Sequence, residues 1–267
     1  MYKKMNLKKQ VEIMPLNSYR LQQAVILFML LAISSAGWIY MLSAHHHSMT
    51  MAPLHHSMTA SAPHTWSLTD FTATFVVWAV MMIAMMTPSI IPMVFRFLQV
   101  RRGKTLRYPY AFALAFLVGY FFAWLGFCVL STAAQCQLQA FALLSPMMES
   151  QNVILSAVLL ILVGLYQFTR WKAACLNHCR VPNDLTKECH RDPIIVGLHH
   201  GFYCVGSCWA LMVMMFAVGV LNLPWMVIIT LIVVMEKTLP INPLWLRCSS
   251  GLGFFIWGGW QLMPFWI

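Results

Sequence analysis

Soft metal ligands stand at helical spacing in the second half of the chain. Cys204, Cys208 and Met212 follow one another at four-residue steps, so on an α-helix they share one face. Thiolate and thioether sulfur are ligands that Cu(I) prefers, and His199 and His200, one to two turns earlier, offer imidazoles that an ion could meet next. The stripe predicts a Cu(I) site; the alternative is that the cysteines pack as small hydrophobic residues.

A methionine-rich segment earlier in the chain is the expected partner of this stripe. Met81 and Met85 share a helix face and Met86 adjoins it, while Pro88 and Pro92 interrupt the helical hydrogen bonds and bend the helix there. Counted from the predicted ends of their helices, Met85 and Cys208 lie at about the same depth, roughly 15 Å at ~1.5 Å per residue. The alternative is that these methionines only fill the core.

Two further segments carry ligand residues. Between residues 45 and 59 the sequence His-His-Ser-Met-Thr occurs twice, and a mixture of imidazole and thioether in a flexible outer loop favours copper over zinc. We expect an accessory, low-affinity collecting site there, or else a low-complexity loop that only tolerates these residues. The repeat supplies six candidate ligands: His46, His47, Met49, His55, His56 and Met58.

The other segment reads Cys-x-x-His-Cys and comprises Cys175, His178 and Cys179. If the preceding helix continues through it, the two cysteines lie one turn apart and could bind one ion, with His178 or Cys189 completing the site. The spacing does not match a zinc finger or ribbon. Cysteines that pack near a helix end are the alternative.

The elements that must position these residues are transmembrane helices. Of the 267 residues, 60% are hydrophobic and 9% charged, and the mean hydropathy is +0.71; soluble domains carry about 25% charged residues. We therefore predict an all-α, polytopic transmembrane helical bundle with six to seven spans. The six apolar windows are 21–43, 71–95, 109–131, 151–169, 197–221 and 223–240, and 252–267 is the seventh candidate.

The basic residues orient the bundle. All 17 Lys and Arg residues fall before span one, between spans two and three, between spans four and five, or at and after the end of span six. Because successive spans cross the membrane in opposite directions, these positions all lie on the same side of it. Since cytoplasmic loops collect positive charge, the N-terminus is predicted to be cytoplasmic, in a multi-pass protein of the bacterial inner membrane. The +10 net charge thus comes from basic loops on one face of the lipid bilayer, and nucleic acid is not an expected partner.

The expected organisation is a basic cytoplasmic N-terminus, 1–20, and one transmembrane helical domain, 21–267. The latter includes a His/Met-rich outer loop, 44–70, and a Cys/His inner loop, 170–196.

Span six ends in Glu236-Lys237. An ionisable residue in a membrane segment is a functional candidate by default, so Glu236 is either a proton or cation coupling site or the partner of Lys237 or Arg247.

A family resemblance is carried by five segments, in this order: Met81-Met82-x-Ala84-Met85-Met86-x-Pro88, Cys175-Leu176-x-x-Cys179-Arg180, His200-Gly201-x-Tyr203-Cys204-x-Gly206-x-Cys208-Trp209-x-Leu211-Met212, Gly219-x-x-Asn222 and Glu236-Lys237. Over residues 70–240 they resemble a bacterial family of predicted metal-binding integral membrane proteins. The resemblance implies a metal-binding membrane protein. The positions that match its pattern are Met85, Met86, Cys204, Cys208 and Glu236.

The leading hypothesis is therefore a membrane protein that handles a copper ion, or another transition metal, by capture, transport or delivery. The alternative is an accessory or assembly subunit that works with a metallochaperone or a membrane metalloenzyme and transports nothing. A thiol or haem redox protein is a third possibility, and binding is favoured over catalysis. The sequence has no nucleotide-binding loop or Asp-Lys-Thr-Gly phosphorylation motif, which argues against ATP-driven pumping.

Overall fold

The expected all-α class is confirmed. A computed structural model describes residues 16–58, 67–102, 109–141, 152–180, 191–239 and 243–263. Within these ranges 93% of the residues are helical and none forms a strand. The helices are α1 Leu16–Met58, α2 Leu68–Arg102, α3 Pro109–Ala140, α4 Val153–Gln167, α5 Arg170–Arg180, α6 Pro193–Val213, α7 Met215–Val218, α8 Leu223–Thr238 and α9 Pro243–Leu262.

Several of these helices are long and apolar enough to cross a membrane. Four qualify in the described part of the chain: Leu21–His46, Leu68–Gln99, Tyr110–Ala140 and Pro193–Val218. A fifth is counted if α4 and α5, which are bent by 61° at a short break, form one span. α8 has only 16 residues, and α9 begins at Pro243, nine residues before the expected seventh segment. Six to seven spans therefore stay a prediction.

The closest helix packing joins α3 to α6. A Cβ atom added to Gly197 of α6 would lie 1.9 Å from the carbonyl oxygen of Phe116. Likewise, a Cβ atom added to Gly119 of α3 would lie 2.0 Å from the carbonyl oxygen of Ile194. The two backbones thus meet directly, as small residues allow at helix interfaces in membranes.

Pro88 shapes the packing of α2 against α1. A proline has no N–H to bond the carbonyl four residues earlier, which here belongs to Ala84. The hydroxyl of Ser34 on α1 donates to that carbonyl at 2.9 Å, so a neighbouring helix satisfies the acceptor that the proline leaves. The methionines of α2 lie in this part of the core, where Met81, Met85 and Met86 are fully buried.

The His/Met-rich segment differs from the loop that the sequence predicts. Its backbone continues α1 as a helix through Met58, although Pro53 lies within this stretch and disfavours a helix interior; residues 44–58 contain no glycine that would end the helix. His46 is exposed, and Nδ1 of the adjacent His45 lies 3.0 Å from the carbonyl oxygen of Leu221. The side chains of His47, Met49, His55, His56 and Met58 lie outside the described part.

The α3–α6 contact leads to a stability prediction. Gly197→Ala is expected to lower the free energy of unfolding by about 1–3 kcal/mol, the usual cost of overpacking, because the new methyl group collides with the α3 backbone. The measurement is the thermal midpoint of the detergent-purified protein.

Gly253→Ala on α9 is the matched control, since a Cβ atom there meets nothing within 4 Å. It should leave the midpoint unchanged or raise it slightly, because alanine favours helix. Equal midpoints for the two variants would contradict the close packing of α3 and α6.

Candidate metal centre

A break between α4 and α5 sets the direction of the first pair of cysteines. Phe168 and Thr169 separate the two helices, and the chain turns by 61° there. The buried Arg247 of α9 stabilises the break: its Nε and Nη2 donate to the carbonyl oxygen of Gln167 at 3.0 and 2.7 Å, and Nη2 donates to that of Thr169 at 2.9 Å. The carbonyl group of Gln167, which the bend leaves free, is thereby satisfied without water, and that of Thr169, which also accepts from the backbone N–H of Ala173, gains a second donor.

One ion pair and two hydrogen bonds from arginines then dock α5 against α8 and α2. Near its start, the fully buried Lys172 pairs with Glu236 of α8, with Nζ 2.9 Å from Oε1. At its end, Arg180 donates to the carbonyl oxygen of Leu239 and Arg96 of α2 donates to that of Arg180. The first part of the expected inner loop is thus a packed helix, whereas residues 181–190, including Cys189, lie outside the described part.

The docking of α5 brings four thiols together. A Cβ atom on Gly206 would lie 2.9 Å from Sγ of Cys175. The hydroxyl of Ser207 lies 3.3 Å from Sγ of Cys208, and Cys179 lies one turn after Cys175 on the same face of α5. Because α5 and α6 each contribute a pair one turn apart, they form what we call the cysteine cluster: Cys175, Cys179, Cys204 and Cys208.

The thiols of this cluster are well shielded. Cys204 and Cys208 are 0% and 1% exposed, whereas Cys175 is partly exposed. All the cysteines of the described ranges are free. The four-residue spacing identifies both pairs, but nothing in the sequence shows that the two pairs meet.

Two polar side chains from two other helices contact Cys204, and a third helix supports one of them. Nζ of Lys237, on α8, lies 2.8 Å from its Sγ and also donates to Oγ of Ser89 on α2 at 3.2 Å. The hydroxyl of Tyr120, on α3, lies 3.0 Å from the same sulfur. These residues were not predicted from the sequence as parts of the site. The sequence signal that could have indicated one of them is Lys237, a lysine at the end of an apolar helix.

Two contacts fix how α2 runs past α6 and the short helix α7 that follows it. The rings of Trp78 on α2 and Phe216 on α7 lie 5.1 Å apart between centroids, and Lys237 joins Ser89 on α2 to Cys204 on α6. The second contact lies later on α2 but earlier in the segment formed by α6 and α7. α2 is therefore antiparallel to this segment.

The methionine and cysteine stripes consequently lie at the same levels of the bundle. Met81 and Met85 stand between the two contacts on α2, and Cys208 and Met212 stand between them on α6. These side chains, and that of Met86, belong to one buried core. The structure thus places the thioethers near the thiols in depth, as the sequence predicts.

The three histidines of this region separate into two groups. His178 of α5 and His199 of α6 meet, with ring centroids 5.4 Å apart, and His178 stacks on Tyr203 at 3.8 Å. His200 instead faces α3, where its ring lies 6.1 Å from that of Tyr120 and its buried Nδ1 has no hydrogen-bond partner. The imidazoles of His178 and His199 therefore form a second pair of potential ligands near the cysteine cluster.

Glu236 has a different partner from those expected. It pairs with Lys172, because Lys237 is the next residue on the helix and points elsewhere, while Arg247 is bound to the α4–α5 break. Its second carboxylate oxygen, Oε2, is buried without a hydrogen bond. A carboxylate with one unsatisfied oxygen is thus held inside the bundle.

The donor set suits a soft, monovalent metal. In the part of the chain that the structure describes, no three His, Cys, Asp or Glu side chains are already arranged around one point as a metal site. Cu(I), however, forms stable complexes with only two thiolates, and the cysteine cluster offers adjacent thiols in an apolar setting with thioethers at the same depth. The residues therefore fit Cu(I) better than an ion that needs a preformed ring of four ligands.

Comparison with known proteins agrees with this chemistry. A family profile named PpoB2 and described as a copper chaperone matches residues 75–261. No curated protein and no solved structure shows significant similarity to the chain. The metal-related family expected from the motifs is thereby confirmed. Since the match covers more than two thirds of the chain and includes both helices of the cysteine cluster, the protein belongs to the copper chaperone family.

Proposed function

We propose that this protein is a multi-pass protein of the bacterial inner membrane that binds Cu(I) at the cysteine cluster and delivers it to a recipient protein. The observation that carries the proposal is the approach of the α5 cysteines to α6, where Sγ of Cys175 meets Gly206, the residue midway between Cys204 and Cys208. The long apolar helices and the one-sided basic residues support the location and a cytoplasmic N-terminus.

The surrounding residues suggest a route for the ion. The His/Met-rich end of α1 collects copper outside, and Met81, Met85 and Met212 accompany the buried thiols. His178 and His199 take the ion next, because they lie on the same two helices as the cysteines, close to the α6 start. Each step exchanges one soft or borderline ligand for another, which Cu(I) tolerates.

Delivery is favoured over transport by the family description. A chaperone holds its ion for a partner, such as a membrane metalloenzyme or a soluble metallochaperone, and needs no energy source. Within the match, no helix carries a nucleotide-binding motif. The accessory-subunit alternative is thus close to the proposed role, since both require a recipient.

Glu236 is the candidate for coupling copper to a proton. Its unsatisfied Oε2 is where a proton would bind, and neutralising the carboxylate would weaken the ion pair that holds Lys172. Because Lys172 lies one turn before Cys175 on α5, such a change would loosen one half of the cysteine cluster.

The cluster makes a direct prediction for metal binding. Cys204→Ser together with Cys208→Ser should lower the Cu(I) affinity at least about 100-fold, because a hydroxyl is a poor ligand for a soft ion. Competition with a chromophoric Cu(I) chelator measures the affinity of the detergent-purified protein, and X-ray absorption counts the sulfur ligands.

Cys128→Ser is the control, since Cys128 is a buried cysteine of α3 outside the cluster. It should bind Cu(I) as the unmodified protein does. If the double variant kept the same affinity and the same sulfur count, the binding site would have to lie elsewhere.

Delivery and transport give different results in proteoliposomes. We expect copper to remain stoichiometric with the protein and to leave when an apo Cu(I) acceptor protein is added outside. Lumenal copper is measured after external ions are removed by a chelator, with the Cys204/Cys208 double variant as the control. Accumulation well beyond one ion per protein, lost in that variant, would contradict delivery and establish transport.

A further inference from the structure

Lys237 is the basic residue that the proposed function leaves unused. We infer that its ammonium group is the counter-charge of the cysteine cluster and makes the cluster selective for a monovalent soft cation over a divalent one. The inference rests on the proposed function, because it presupposes that the cluster binds Cu(I). It makes Lys237 a specificity-determining residue that acts through Cys204.

The partners of Lys237 are unusual for a lysine inside a helical bundle. Its ammonium reaches Sγ of Cys204 at 2.8 Å and Oγ of Ser89 at 3.2 Å, both of them buried. Lys172, the other buried lysine of this region, pairs with Glu236, whereas the acidic group in contact with Lys237 is the thiol of Cys204.

The acidic residues of the described ranges are accounted for elsewhere. Asp70 accepts a hydrogen bond from Ser67 at the start of α2, and Asp192 precedes α6. Glu236 is held by Lys172. Buried charges need a partner of opposite sign, so the geometry leaves this role to the cluster's own sulfur.

Charge counting then distinguishes the metals. Cu(I) bound by the thiolates of Cys204 and Cys208 has a net charge of −1, which the ammonium of Lys237 brings to zero. Zn(II) on the same two thiolates is neutral, so the ammonium would leave a net +1 charge in an apolar surrounding. Net charge is costly there, and the lysine therefore penalises the divalent ion.

Neighbouring side chains keep the ammonium in this place. Ser89 accepts its second hydrogen bond from α2, and the hydroxyl of Tyr120 on α3 supports the same sulfur from another side. Lys237 thus positions Cys204 as well as neutralising it. The site therefore consists of two thiolates and the ammonium group of Lys237 rather than a ring of thiols.

The test replaces Lys237 by Met, which removes the charge but keeps a long apolar side chain. For the full-length protein in detergent, the Cu(I) affinity of Lys237→Met should fall about 10–100-fold, the usual effect of losing a group that supports a ligand. The Zn(II) affinity should fall less or rise, so the preference for Cu(I) over Zn(II) narrows. The protons released per Cu(I) should increase by about one, since Cys204 then starts as a thiol.

Two further variants separate charge from structure. Lys237→Arg keeps the charge and should restore most of the Cu(I) preference, whereas Ser89→Ala removes only the second lysine contact and should leave the preference in place. An unchanged metal preference and an unchanged proton count in folded Lys237→Met would overturn the inference.

A measurement on the unmodified protein does not depend on the folding of any variant. The number of protons released on Cu(I) binding should be about one fewer than the number of cysteines that bound Cu(I) protects from alkylation, because thioether ligands release no proton. Equal numbers would overturn the inference while leaving the proposed function intact. If the unmodified protein did not bind Cu(I) at all, the proposed function itself would fail.

Discussion

The hydrogen bonds from Arg247 to the α4–α5 break are the interaction on which the candidate site depends. Inside an apolar bundle, a helix cannot bend unless its freed carbonyl groups find donors. Arg247 supplies them from α9, at Gln167 and Thr169. Without that bend, the chain after Gln167 would continue along the axis of α4. The cysteines of α5 would then not be directed at α6.

The bundle carries a compact group of charges around α5. Lys172 and Glu236 neutralise each other, Arg247 is bound by carbonyl oxygens, and Lys237 faces a thiol. Such groups are expensive in an apolar interior, and here each one performs a separate task. Lys172, Glu236 and Arg247 shape and dock α5, and Lys237 sets the electrostatics of Cys204.

The parts of this arrangement that could be predicted are those encoded locally. Four-residue spacing identified both cysteine pairs as helical stripes, and counting along the helices placed Met85 and Cys208 at similar depths. The break at Phe168 and Thr169 could not be predicted, since neither residue is a proline or glycine and the donor that stabilises it lies about 80 residues away. For the same reason, the contact of Lys237 with Cys204 was missed.

The direct backbone contact of α3 with α6, made at Gly119 and at Gly197, has a mechanical consequence. Two backbones that touch without intervening side chains have little compliance, because no rotamer can change to absorb a displacement. We therefore expect α3 and α6 to move as one rigid body, which includes Cys204 and Cys208. An opening that admits an ion to the buried sulfur atoms therefore requires movement of the shorter helices, α5 and α8. These two helices contact each other through an ion pair rather than through direct backbone packing.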